Sequence, residues 1–299
     1  MVGLWRVSVT GGKGGTGKSF IAVNLAVLLS KRFKLVLADL DLEGPNDHVL
    51  LGLSGLGEGV PIKLFLPFIN PANCTRCGVC VKVCDTGALL MPPKSLPIVF
   101  PRLCSGCKAC YYACPYNAIR EGYHVLGYIH VNNVKGEGYG FTLVTGVLRE
   151  GEEHTPPGVY RVKKYAEELG PELLLIDTSA GTGNHVSIAL ERSDLVIVVT
   201  EPTPLGLHDM VSILEVVKGM GLKSWIVINK AGIGREEEHL EKAREYGVER
   251  VFRIPYSTDV VESYVSGTPI VVLKPGSTAS RVLYEIGEGV AGLLGRGGL

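Results

Sequence analysis

Short apolar runs recur along the chain, each ending near a glycine, a carboxylate or a small polar residue. Residues 4–10 (LWRVSVT), 35–39 (LVLAD), 173–177 (LLLID), 195–200 (LVIVVT), 225–229 (WIVIN) and 251–254 (VFRI) are strand-length and apolar on both faces. Between them lie helical patterns. Residues 19–33 (SFIAVNLAVLLSKRF) place Ile21, Asn24, Leu25, Leu28 and Leu29 at helical spacing, and further candidates lie at 159–169, 205–219, 236–246 and 278–294. Strands buried on both faces and alternating with helices predict an α/β fold, a mostly parallel sheet covered by helices on both faces. Ligands of such sheets bind at the carboxyl ends of the strands.

The rhythm breaks between about Asn70 and Glu121. There, CTRCGVCVKVCDTGAL (74–89) aligns with CSGCKACYYACPYNAI (104–119), with Pro92, Pro93, Pro97 and Pro101 between the copies. The duplication predicts a small module of two similar halves, residues 70–121, inserted into a discontinuous domain of residues 1–69 and 122–299. The glycine-rich residues 122–158, with VLGYIHV and FTLVTG, read as strands and loops that rejoin the main sheet.

Composition narrows the chemistry. All eight cysteines of the 299-residue chain fall between Cys74 and Cys114, a clustering that points to metal ligation rather than to disulfides stapling distant loops. Thirty Lys and Arg balance thirty Asp and Glu, so no global field attracts nucleic acid or acidic membranes. The chain enters LWRVSVT without a charged leader, and no apolar run is long enough to span a bilayer. A soluble, cytoplasmic protein is expected, with neither nucleic acid nor membrane as partner. The absence of glutamine fits a thermophilic source.

Residues 12–19 (GKGGTGKS) match G-x-x-x-x-G-K-[ST] between a strand and a helix, the setting of a phosphate-binding P-loop. Gly12, Gly14, Gly15, Thr16 and Gly17 let backbone N–H groups converge on phosphate, and the following helix adds its positive end. Lys18 would neutralise the β- and γ-phosphates, and Ser19 would ligate Mg²⁺. With Lys13 early in the loop, the chain outside the cysteine region resembles the MinD/ParA/Mrp group of P-loop ATPases. That resemblance implies ATP as the nucleotide and a nucleotide-sandwich homodimer in which Lys13 reaches the partner's phosphates. It further implies that Asp41, in DLDLEGPN (39–46), orients the attacking water, and that Asp39 supports the magnesium shell. Asp177 would hold Mg²⁺ from the Walker B position. Gly181, in DTSAGTG (177–183), would sense the γ-phosphate. Asn229, in VINKAG, would recognise the base beside IPY at 254–256.

C-x₂-C-x₂-C-x₃-C is the bacterial ferredoxin spacing for a [4Fe–4S] cluster. Zinc remains an alternative, as does an incomplete [3Fe–4S] cluster, although four cysteines within eleven residues suit zinc poorly. The two copies resemble a two-cluster ferredoxin. By that resemblance one cluster takes Cys74, Cys77, Cys80 and Cys114, and the other takes Cys104, Cys107, Cys110 and Cys84. Pro115 follows Cys114 as the pattern requires, but Asp85 follows Cys84, and the added negative charge should lower that cluster's potential. Tyr111, Tyr112 and Tyr116 read as packing residues, and the seven histidines as ordinary surface or core residues.

The whole chain thus resembles a MinD-superfamily ATPase with a ferredoxin inserted after its first switch, DLDLEGPNDHVLLGL. Three functions follow from that resemblance. In the first, nucleotide state gates electron transfer through two [4Fe–4S] clusters to a redox or client protein. The second is assembly of iron–sulfur or other metallocofactors. It is disfavoured because Mrp-type carriers hold a transferable cluster on a C-terminal C-x-x-C, whereas residues 115–299 contain no cysteine. The third is spatial positioning of the MinD or ParA kind, disfavoured by the terminal GVAGLLGRGGL, which lacks a basic amphipathic face.

Overall fold

A computed structural model describes residues 3–295. Residues 296–299 of GVAGLLGRGGL, including its arginine, lie outside the described residues. Among the described residues, eleven strands and eleven α-helices follow in chain order. They are β1 (Trp5–Thr10), α1 (Lys18–Leu29), β2 (Leu35–Leu40), α2 (Asp47–Leu50), β3 (Gly59–Ile69), α3 (Val79–Lys82), β4 (Leu89–Leu90) and β5 (Ile98–Val99). Next come α4 (Ala109–Ala113), β6 (Ile119–Gly136), β7 (Tyr139–Leu148), α5 (Thr155–Glu168), β8 (Leu173–Thr178), α6 (Asn184–Leu190) and β9 (Leu195–Thr200). The chain continues through α7 (Pro204–Gly219), β10 (Ser224–Ala231), α8 (Glu237–Glu245), β11 (Arg250–Pro255), α9 (Thr258–Ser266), α10 (Ile270–Leu273) and α11 (Thr278–Leu293).

Nine strands form one sheet in the order β11-β10-β9-β1-β8-β2-β7-β6-β3. From β11 to β7 all neighbours run parallel, and β6 and β3 are added antiparallel at the edge. The two-faced apolar strands explain the layering. On β8, Leu173 and Leu175 pack with α1 and α11, while Leu174 and Ile176 face the α5 side. On β9 and β10, Val196, Val198, Ile226 and Ile228 pack with Met210, Ile213 and Leu214 of α7. Helix α1 is apolar all round and almost wholly buried, which suits a helix at the centre of the sheet.

Helices α2, α6, α9 and α10 were not foreseen from the sequence, and two further elements differ from the sequence reading. Helix α5 begins at Thr155, ahead of the predicted 159, because Pro156 and Pro157 occupy its first turn, where no N–H is needed. Strand β3 was not foreseen, since Pro61 and Pro67 interrupt it; it lies at the sheet edge, where proline costs no shared ladder bond. The cysteine region therefore follows an edge strand rather than the first switch directly. Strands β3 and β6 pair as far as Ile69 opposite Ile119, so the chain leaves and re-enters the sheet at adjacent points.

Candidate functional site

At the carboxyl ends of β1, β8 and β10 the glycine loop is anchored from several sides. Gly15 and Gly17 take left-handed φ values of 79° and 97°, and a Cβ on Gly17 would lie 2.3 Å from Asn229 Nδ2. Asn229 Nδ2 donates to the Thr16 carbonyl (2.8 Å), and Lys230 Nζ donates to the Gly15 carbonyl (3.1 Å). Asn229 thus braces the loop as well as facing the cavity. Gly12 abuts Asp209 of α7 so closely that a Cβ there would clash. Gly181 N–H donates to the Gly11 carbonyl (3.1 Å), joining the turn after β8 to the loop. A cavity of about 610 Å³ opens here, lined by Gly14, Gly15, Lys18, Ser19 and Asp41 of the phosphate loop and its neighbours. Tyr256, Val260 and Tyr264 line it too, with Tyr264 stacked on Phe20 at 5.7 Å. Backbone amides and a lysine beside apolar, aromatic walls suit a nucleotide.

Beneath the loop, Asp39, Asp47 and Asp177 are each almost fully buried and offer oxygens within 4.8 Å of one another. Ser19 Oγ donates to Asp177 Oδ2 (2.5 Å). Asp39 accepts the backbone N–H groups of Asp41 (3.1 Å), Asn46 (3.1 Å) and Asp47 (3.2 Å), so it shapes the whole loop carrying Asp41. Burial, then the neighbouring Asp177 charge, pushes Asp39 up to about 8. Burial likewise carries Asp177 to about 7, although Ser19 and Lys18 pull the other way. Asp177 Oδ1 and both Asp47 oxygens are buried without hydrogen-bond partners. Three such carboxylates cannot all ionise here without compensation, by a proton or by a cation, and hard oxygen donors beside a hydroxyl would fit Mg²⁺. Asp47 was missed from sequence. It sits past a turn, with nothing in DLEGPND to separate it from a helix-capping residue.

Lys13 pairs with Glu201, which also binds Lys230 Nζ (3.0 Å). Within the single chain, then, the extra lysine rests on an acid of its own molecule, and its backbone carbonyl accepts from Lys18 Nζ (3.2 Å). Glu201 follows the apolar run of β9. A charge at that carboxyl edge was the available clue.

The cysteines form two separate groups. Cys74, Cys77, Cys80 and Cys114 line one cavity, and Cys84, Cys104, Cys107 and Cys110 line another. The duplication extends to the backbone. Arg76, Gly78 and Gly87 have positive φ, as do Gly106, Lys108 and Asn117 at the matching places of the second copy. Tyr111 packs edge-on against Phe65 of β3, as expected of a packing residue, whereas Tyr112 and Tyr116, expected to pack as well, are exposed. Burial, then Cys104 and Cys107, lifts the Cys110 thiol to about 11, and burial also raises Cys80 and Cys104. At Cys84 burial is outweighed by the Thr86 hydroxyl and by nearby N–H groups, so its thiol falls. Crowded thiols held high in pKa ligate only when a metal supplies the positive charge.

A family model, the CobQ/CobB/MinD/ParA nucleotide binding domain, matches residues 7–270. The chain belongs to this family. It is a P-loop ATPase-fold protein of the MinD/ParA/Mrp superfamily. An uncharacterized protein of Methanocaldococcus jannaschii is 34% identical over 87% of this chain and 89% of its own. An iron-sulfur cluster carrier protein of Synechocystis is 24% identical over 96% of this chain and 70% of its own. The septum site-determining protein MinD of Pyrococcus horikoshii, solved with Mg-ADP, shares the fold at a TM-score of 0.59 and 21% identity, covering 98% of each chain. Among the described residues, no helix is long and apolar enough to cross a membrane.

Proposed function

We propose that this protein binds and hydrolyses Mg-ATP, and that its nucleotide state gates electron transfer through two [4Fe–4S] clusters held by residues 70–121 to a partner protein. The observation that carries the reading is the division of the eight cysteines into two cavity-lining quartets, mounted on the edge ribbon of the same sheet whose central strand β1 leads into the glycine loop. Sulfur spacing supports cubane clusters over zinc. Ligands on one tetrahedral zinc lie about 3.8 Å apart, given Zn–S of about 2.3 Å. Among the described residues, only the three aspartates group their ligand atoms within 4.8 Å.

In this reading Lys18 neutralises the transferring phosphoryl group, Ser19 and Asp177 hold Mg²⁺, and Asp39 keeps the loop of Asp41 in place. Asp41, on the cavity wall, positions the water, and Gly181 senses the γ-phosphate through its link to Gly11. Mg²⁺ would supply charge neutralisation at the phosphates, with Asp47 completing its acidic surround. Lys13 would exchange Glu201 for a partner chain's phosphate when two copies close on nucleotide.

The two cysteine quartets would hold the clusters, which would supply one-electron transfer. Residues 70–121 carry six Lys or Arg and only two Asp or Glu, in a chain that is neutral overall. The two clusters with their thiolates would carry negative charge that offsets this excess, so net charge alone does not select the partner. Similarity to a protein named as an iron-sulfur cluster carrier favours a second reading, cofactor assembly, in which the same electrons serve a client.

The test is an anaerobic redox titration with EPR, without nucleotide, with ADP, and with a non-hydrolysable ATP analogue. Two [4Fe–4S] signals that shift in potential or line shape with the analogue are expected. Two signals indifferent to nucleotide would remove gating and leave assembly, and a protein that binds only zinc would remove both.

A further inference from the structure

The loop after β2 and the ribbon formed by β3 and β6 are joined by a third segment, the turn between β7 and α5. On the nucleotide side, Asp41 and Asn46 line the cavity, while Leu42 and Glu43 between them face the opposite way. Leu42 is buried in a cluster with Ile62 of β3 and Leu126 and Ile129 of β6, and its carbonyl accepts from Leu148 N–H (2.9 Å). Glu43 Oε1 accepts from Thr155 Oγ1 at the start of α5 (2.8 Å).

The turn continues toward the ribbon. Glu152, its side chain only 8% exposed, bonds His124 Nε2 of β6 through Oε2 (2.6 Å). Its Oε1 pairs with the His154 ring and accepts the backbone N–H groups of Glu153 and His154 (both 3.0 Å). Arg149 N–H donates to the Leu126 carbonyl of β6 (2.8 Å). His124 stands opposite Leu64 on β3. Leu64 presses on Gly106 between Cys104 and Cys107, where a Cβ would come within 2.5 Å of its Cδ1. Cys104 Sγ lies 3.8 Å from the carbonyl of Phe65. The path from the nucleotide cavity to the second cysteine quartet thus runs through hydrogen bonds, packed side chains and the β3–β6 strand pairing.

We propose that residues 148–155 act as a strap that couples the loop of Asp41 to the second cysteine quartet, with Glu152 and Thr155 as positioning residues. The proposal deepens the gating reading and rests on it. A shift of Asp41 or Asn46 on nucleotide binding displaces Leu42 and Glu43, and packed, hydrogen-bonded neighbours follow because a close-packed interior does not absorb the movement. Thr155 and Glu152 touch neither nucleotide nor cysteine, so their removal separates coupling from binding.

The experiment compares wild type, Thr155→Val, Thr155→Ser and Glu152→Gln, all with clusters loaded. Hydrogen–deuterium exchange is followed at residues 104–110 and 119–126, and cluster EPR is recorded, with and without Mg²⁺ and a non-hydrolysable ATP analogue. Wild type and Thr155→Ser are expected to change exchange at both segments on adding the analogue. Thr155→Val and Glu152→Gln are expected to lose that change while keeping nucleotide affinity. Thr155→Val, which keeps side-chain size, guards against a merely unstable Glu152→Gln. No wild-type response at the ribbon, or a full response in Thr155→Val, overturns the strap. A ribbon response with unmoved EPR signals leaves the strap standing and removes gating. Nucleotide-sensitive EPR that survives in Thr155→Val does the reverse.

Discussion

The α/β body and the cysteine region between Ile69 and Ile119 are held together by opposite means. In the body, Leu173 to Ile176 on β8 and Leu195 to Val198 on β9 have no exposed surface at all, and three apolar clusters cover both faces of the sheet. In the cysteine region the buried apolar cluster consists of Leu89, Cys110 and Ile119, while Leu90, Ile98, Phe100, Leu103 and Tyr112 stand exposed. Burial of apolar surface stabilises the first, at about 25 cal/mol per Å². A core so small offsets little of the entropy of ordering its loops, and on the proposed reading metal ligation supplies the difference. One part of the molecule is a scaffold by packing. The other, on that reading, is a scaffold only when loaded.

The sharpest way to break that contrast is to strip the iron. Chelation under reducing, anaerobic conditions should abolish exchange protection across residues 70–118 while β1, β8, β9 and nucleotide binding stay intact. Hydrogen exchange read alongside nucleotide titration decides it. A body that melts with the module would show that the two share one cooperative unit, and protection that survives chelation would show that packing suffices there.

Next in size is the converse, damage confined to the body. Lys18→Ala removes a buried charge facing the phosphate site and should weaken nucleotide binding by about thirtyfold to several thousandfold, as loss of a buried, hydrogen-bonded charge partner costs about 2–5 kcal/mol. The visible absorption of the clusters should not change. Calorimetric titration and the spectrum of the same sample test both halves, and a bleached spectrum in this variant would sink the independence of the two regions.

A third test uses the aspartates. Asp39 and Asp177 are raised by burial, so the folded chain without a cation binds more protons than the unfolded chain. Its stability should therefore fall as the pH rises from about 4 toward about 8, where the buried carboxylates ionise without compensation. Mg²⁺ with nucleotide should flatten the slope, since the cation favours the ionised form. Denaturant midpoints across that range, with and without Mg-ADP, measure it, and a slope indifferent to Mg-ADP would remove these carboxylates from the metal site.

The same contrast governs what was legible in the sequence. The body's strands announced themselves as two-faced apolar runs, and the glycine loop and cysteine spacing are local patterns fixed by chemistry. Contacts between distant segments left no such trace. Strand β3 was hidden by Pro61 and Pro67, because edge position is a property of the assembled sheet. Asp47 and Glu201 are single acids whose meaning comes from Asp177 and Lys13 across the fold. Glu152, His124 and His154 read as ordinary surface chemistry until the turn after β7 places them together.

The smallest predicted effect probes the repeat itself. The two copies alternate glycine and side-chain-bearing residues at corresponding left-handed positions: Arg76 stands where the second copy has Gly106, and Lys108 where the first has Gly78. A left-handed conformation costs a residue with a Cβ about 1–2 kcal/mol, so Arg76→Gly should relieve strain and stabilise the loaded module by about 1 kcal/mol, less the added freedom of the unfolded chain. Arg76 is the cleaner choice, because Lys108 also pairs with Glu121 (2.6 Å) and lies over the Phe65 ring. Gly106→Ala should do the opposite, since it combines a strained φ of 72° with a collision against Leu64. The rate of cluster loss to a chelator reads both changes. A slower loss in Arg76→Gly with a faster loss in Gly106→Ala would mean that loop conformation, and not cysteine spacing alone, sets how firmly each quartet is held. Equal rates would mean that the metal bonds dominate so completely that the loops merely follow them.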